Sequence, residues 1–317
     1  MSAAVVPAET TPTADAARDE ASGTVLDPVA RDAGAALGQP VRRSSAARLF
    51  AAGRQPSWTL VLAIAVIVVA VLWAVVPWLF TSQNPIEGVP ADKLLAPSAA
   101  HWFGTDAIGR DLFSRVVYGA IHSLSGALIA VTVGLAAGTL IGVVAGSVGG
   151  VLDDILMRIV DVLLSIPGLL LSLSIIILLG FGTVNAAIAV GVGSVASFAR
   201  LSRSEVVRVR RTDYVEAAFG SGGTFVSVLA RHVLPNSLTA VIGLAALQFG
   251  AAILAISTLG FLGYGAPPPT PEWGLLIAEG RNYVATAWWL TTLPGLVVVI
   301  VVLSANRISQ SIGRGTR

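Results

Sequence analysis

Few side chains in this sequence are equipped for chemistry, and their spacing limits what they can do. The histidines His101, His122 and His232 are far apart and fall in no metal-ligand spacing. Cysteine is absent, which excludes disulfides, zinc–thiolate sites and thiol redox chemistry. Lys93 is the single lysine; Asp92 and Leu94 flank it, so no G-x-x-x-x-G-K-[ST] phosphate loop exists. No catalytic residue and no metal ligand are therefore assigned. What remains are charged groups in short patterns. Asp111 and Arg115 stand at i, i+4 with acid before base, the favoured helical order, and read as a surface bridge. Asp154, Arg158 and Asp161 fit a ladder near one end of an apolar segment, as structural anchors or as a gate. Asp213 and Glu216 have capping-box spacing.

The elements that must position these groups lie in a bilayer. The chain is 55% hydrophobic and only 12% charged, against about 25% charged in soluble domains. Its mean hydropathy is +0.80. The pI near 9.4 invites a nucleic-acid reading, but the arginines sit at the ends of apolar segments, as membrane flanks do. Nucleic acid is not an expected partner; the lipid bilayer is.

Six spans are expected, at about 20 apolar residues each. They cover approximately 58–80, 124–148, 162–180, 183–199, 237–263 and 287–305. Residues 1–56 read as a disordered tail, acidic first and basic next to the membrane. Residues 57–306 form the membrane domain, with a charged loop at 200–236, and 307–317 a C-terminal tail. Sixteen of the twenty Lys and Arg collect on one side if the N-terminus is inside, so both termini are expected in the cytoplasm. Gly126, Ala130, Gly134, Gly138, Gly142, Gly146 and Gly150 recur every fourth residue and form a ridge that another helix can approach closely. Pro167 predicts a kink in the third span.

The apolar cores of the six spans contain no Asp, Glu, Lys, Arg or His. Ion-coupled transporters usually need such groups at mid-membrane depth. The chain reads as a conduit whose energy enters elsewhere, and the charged loop is where it can enter. There Asp213 predicts a helix N-cap, "GSGG" a stop, Thr224 a second N-cap, and Pro235 the end of that second helix. The outcome is helix, glycine hinge, helix. Its apolar faces suit either the membrane surface or a groove in another protein.

Glu216, Ala217 and Ala218, then Gly222, then Leu234 and Pro235, resemble the E-A-A signature of membrane subunits of ABC importers. The blocks "HWFGTDAIGRDLFSRVVYGAIHSL", "DDILMRIVDVLLSIPGLLL" and "LGFLGYGAPPPTPEWGLLIAEGR" are similar to the dipeptide/oligopeptide/nickel permease family, in its C-type subunit. The likeness covers roughly residues 58–312. Departures are Ile121 in place of an arginine, extra glycine in "GSGG", and Ser309-Gln310 in place of Gly-Asp.

The resemblance implies an all-α, type I ABC importer permease-like fold in the cell inner membrane. It implies a loop helix, Glu216 to Gly222, that docks on an ATP-hydrolysing subunit. Expected partners are a second homologous permease, two ATP-binding subunits and an extracytoplasmic substrate-binding protein. ATP and Mg belong to the partner ATPases; no cofactor is expected in this chain. Glu272 and Trp273 are candidates for contact with the binding protein, or anchors at the headgroups. The implied activity is peptide import, with nickel or another small solute as the alternative cargo. A self-sufficient secondary transporter or channel is the distant alternative, and the uncharged spans oppose it.

Overall fold

A computed structural model describes residues 58–314. The expected tail 1–56 lies outside the described residues. Among the described residues the chain is helical, and its one β contact is an isolated bridge between Thr105 and Asp111. The helices are α1 Trp58–Val75, α2 Leu112–Val148, α3 Gly150–Ser165, α4 Gly168–Leu179 and α5 Thr183–Arg210. Two short helices follow, α6 Asp213–Gly220 and α7 Phe225–Val228. A π turn, Leu229–Val233, joins α7 to α8 Leu234–Phe261. The last two are α9 Trp273–Gly280 and α10 Trp289–Arg314. The boundary expected at 306 therefore falls inside α10.

Five of the helical stretches are long and apolar enough to cross a membrane, or six if a bent pair counts as one span. The pair is α3 and α4, which meet at 96°. The expected kink is thus a complete break. Pro167 lacks an N–H and excludes the α conformation from the residue before it, and Ile166 is extended with φ −87° and ψ 127°. The twelve residues of α4 span only about 18 Å.

Other spans run longer than their apolar cores. The side chain of Asp111 accepts the Ser114 N–H at 2.8 Å and starts α2 twelve residues before the expected span. The helix runs 37 residues, or about 55 Å. Likewise α5 does not stop at 199 but carries the arginine run as helix to Arg210. Pro235 does not end a helix either. The stretch Phe225–Phe261 is one continuous rod. The wider π turn just before Pro235 absorbs the lost N–H and ring clash that would break a regular α-helix.

The bundle is centred on α2, α5 and α8, with α1 and α10 packed outside α2 and α8. Its main core joins Val116, Ala127, Ala130, Phe198, Ile253, Ile256 and Trp273. The α2–α5 contact is the most extensive, and the small-residue ridge makes it. A Cβ built on Gly138 would sit 2.4 Å from the Val195 carbonyl oxygen, and on Gly142 2.3 Å from that of Ala199. From the other side, a Cβ on Gly191 would meet the Ala130 carbonyl at 2.8 Å. The ridge therefore packs inside this chain's own bundle. Gly150 stands apart from it, with φ +62° and open space around it.

Candidate coupling site

The arginine-rich end of α5 leads directly into α6, and α6 is held by a seat of valines. Val215 and Val228 pack on Val206, Val209 and Val233, with Val143, Ala218 and Leu229 around them. Helix α6 starts differently from the expected capping box. Thr212 is the N-cap, without a side-chain capping bond; Asp213 is the first helical residue. The Thr212 carbonyl accepts the N–H groups of Val215 at 3.0 Å and Glu216 at 3.2 Å.

Helix α6 ends as the glycines predict. Gly222 takes φ +85°, and Gly223 donates its N–H to the Ala218 carbonyl at 3.1 Å. A Cβ on Gly223 would lie 2.7 Å from that same oxygen. Thr224 then caps α7 through the Ser227 N–H at 3.4 Å, matching its expected role.

With Val215 turned inward, the opposite face of α6 is open. Glu216 and Ala217 are exposed, Ala218 is half-buried and Gly222 is exposed. Tyr214, Phe219 and Phe225 are exposed at 46%, 39% and 43%. Leu234 is half-buried and Pro235 exposed, both at the start of α8. The E-A-A residues and Gly222 are thus one surface feature, whereas Leu234 and Pro235 belong to the helix behind it. Among the described residues, the Glu216 carboxylate has no hydrogen bond or ion pair.

The ladder expected along α3 does not form. Asp154 and Arg158 are exposed, and Asp161 pairs across to Arg200 on α5 at 2.5 Å. The stronger link is one that local spacing does not reveal. Arg203 grips Asp153 with two bonds, Nε to Oδ1 at 2.9 Å and Nη2 to Oδ2 at 2.6 Å. Asp153 is buried. Fifty residues separate the partners, so only the α3–α5 packing brings them together. Pro167 sits between the two halves of the bent pair, at the N-cap of α4.

At the opposite end, the loop before α2 and helix α9 are locked by charge. Arg115 is fully buried; its Nη1 donates to Asp106 at 2.8 Å and Glu279 at 2.6 Å. Arg110 reaches the same two carboxylates at 2.6 and 3.2 Å. The expected Asp111–Arg115 pair is absent, because Asp111 is occupied by the Ser114 N–H and by His101 Nδ1 at 3.0 Å. Burial alone pushes the Asp106 carboxyl up. The N–H groups of Arg110 and Ile108 and the Arg110 guanidinium outweigh it, leaving that carboxyl below its ordinary range.

Glu272 and Trp273 are both fully buried, so neither side chain meets an external protein or the headgroups. Glu272 caps α9 by accepting the N–H groups of Gly274 at 2.9 Å and Leu275 at 3.0 Å. Trp273 donates through Nε1 to the Val116 carbonyl at 2.9 Å, and its backbone N–H reaches Ser123 Oγ at 3.2 Å. Burial pushes the Glu272 carboxyl above its ordinary value, against the pull of its donors. These residues anchor α9 into α2 instead.

The bundle combines five long apolar helices with a pair bent by 96° and carries the short helix α6 between α5 and α7, and this architecture has solved counterparts. The chain overlays on a chain of the MetNI methionine ABC transporter in its inward-facing conformation. The TM-score is 0.54 at 18% identity, over 65% of this chain and 98% of that one. An amino acid ABC transporter solved with histidines gives 0.51 at 14% identity, over 64% and 94%. At these identities the likeness concerns the fold.

The chain belongs to the binding-protein-dependent transport system inner membrane components, whose family pattern matches residues 138–317. It is 40% identical to the dipeptide transport system permease protein DppC of Alkalihalophilus pseudofirmus, over 76% of this chain and 80% of that protein. It is 39% identical to the probable D,D-dipeptide transport system permease protein DdpC of Escherichia coli K12, over 78% and 84%. It is also 39% identical to the glutathione transport system permease protein GsiD of Escherichia coli, over 68% and 71%. The chain is an ABC importer permease subunit.

Proposed function

We propose that this permease forms half of the pathway of an ATP-driven peptide importer in the cell inner membrane, and that α6 is where the drive enters. The observation that carries the reading is the open face of α6. Tyr214, Glu216, Ala217, Phe219 and Phe225 are all exposed around α6, which rests on a seat of valines. Such a face suits helix-in-groove docking. A second homologous permease completes the pathway, two ATP-binding subunits grip the coupling helices, and an external binding protein delivers cargo. Both termini and α6 face the cytoplasm under the positive-inside rule. ATP and Mg act on the partner subunits. The peptide cargo follows the names of the three relatives.

The native chain lacks cysteine, so single cysteines replacing Ala217 or Phe219 report cleanly on docking. Each is expected to cross-link to a single-cysteine ATPase subunit in the active complex. Absence of cross-links in a transporting complex would sink the docking assignment. Glu216→Ala and Gly222→Leu are expected to leave the chain inserted while lowering uptake of a labelled dipeptide by about tenfold. Wild-type uptake in both variants, or uptake of nickel in place of peptide, would overturn the corresponding part of the proposal.

A further inference from the structure

We infer that Arg210 is a positioning residue that fastens the coupling helix to α2, so that the two move as one body. The inference rests on the docking role of α6 proposed above. The last four carbonyls of a helix have no partner within it and carry its negative pole. In α2 the Ala145 carbonyl is satisfied by the Gly149 N–H at 3.0 Å. The next two are not capped locally. Arg210 Nη1 donates to the Gly146 carbonyl at 2.9 Å and to the Ser147 carbonyl at 2.6 Å.

The position of Arg210 gives this contact its consequence. It is the final residue of α5, and Thr212, two residues on, opens α6. The neighbouring arginines are used otherwise. Arg208 bonds Glu205 within α5, while Arg200 and Arg203 reach α3. The valine seat under α6 is non-directional and resists sliding weakly. A charge-assisted bond to two fixed carbonyls sets direction and register. Above that point α2 is keyed into α5 by the glycine ridge, and about 47 Å away its first turn holds Arg115. Displacement of α6 is therefore passed to α2 along its whole length.

The test reconstitutes the full complex in proteoliposomes and measures peptide taken up per ATP hydrolysed. Arg210→Ala is expected to keep the Phe219→Cys cross-link and ATP hydrolysis while uptake per ATP falls about tenfold. Arg210→Lys keeps a cation able to reach both carbonyls and is expected to recover at least about half of the ratio. A purely structural role would lower the amount of complex and leave the ratio unmoved. If the alanine variant does not assemble, Arg210→Gln replaces it in the comparison with lysine. An unchanged ratio in the assembled neutral variant overturns the inference, as does a lysine variant no better than the neutral one. A missing cross-link in the wild-type complex would instead remove the docking reading itself.

Discussion

Arg115 sits in the first turn of α2, sealed from solvent, with its Nη1 shared between Asp106 and Glu279. Burying a guanidinium is costly, and close carboxylates offset that cost only while the set is complete. Arg115→Ala would leave two carboxylates leaning on Arg110 alone. We expect a loss of about 3–5 kcal/mol, measured by reversible unfolding in mixed detergent. A loss below about 1 kcal/mol, the range of a surface pair, would show that the cluster is effectively solvated. The sequence indicates that Arg115 needs an acid and suggests the nearest one, at i−4. The structure chose otherwise because Asp111 was already capping the helix, and because Glu279 arrives from 164 residues away. The Glu216–Gly222 signature, by contrast, was legible because it is a local pattern on one short helix and its hinge. Arg210 was not, because its acceptors are backbone carbonyls and carry no sequence signal.

At the scale of elements, the glycine periodicity of α2 found its partner in α5. A methyl group on Gly138 would press within 2.4 Å of the Val195 carbonyl and 2.5 Å of Phe198 Cβ. Gly138→Ala is therefore expected to destabilise the bundle by about 1–3 kcal/mol, the cost of overpacking. Gly243 in α8 has open space around its position, so Gly243→Ala is expected to be neutral or slightly stabilising through helix propensity. The proportion of monodisperse protein after mild heating in detergent separates the two variants. Equal behaviour would mean that the ridge does not set the α2–α5 distance. Proline behaved in two ways that its identity alone does not distinguish. At Pro167 the helix breaks by 96°, while at Pro235 a preceding π turn lets it continue. The difference lies in the neighbouring turn, which packing decides.

At the scale of the whole molecule, orientation follows from where the arginines collect. Arg200, Arg203, Arg208, Arg210 and Arg211 share the end that bears α6, while Lys93 and the loop 76–111 lie at the other. Single cysteines at the exposed positions Ser98 and Ser204 test the direction. An impermeant thiol reagent is expected to label Ser98→Cys in intact cells, and Ser204→Cys only after permeabilisation. The reverse pattern would invert the assignment and place α6 out of reach of any ATPase.

The sequence by itself determined the medium, the approximate spans, the place of the charged loop and the family. Each of these depends on composition or short-range pattern, which a chain displays before it folds. Only the tertiary structure decided that the ridge is internal, that Glu272 and Trp273 are buried anchors, and which arginine meets which acid. It also decided that α2 and α5 reach beyond their apolar cores. Those outcomes depend on groups far apart in the chain competing for the same partners within a crowded bundle. No local spacing records who wins that competition.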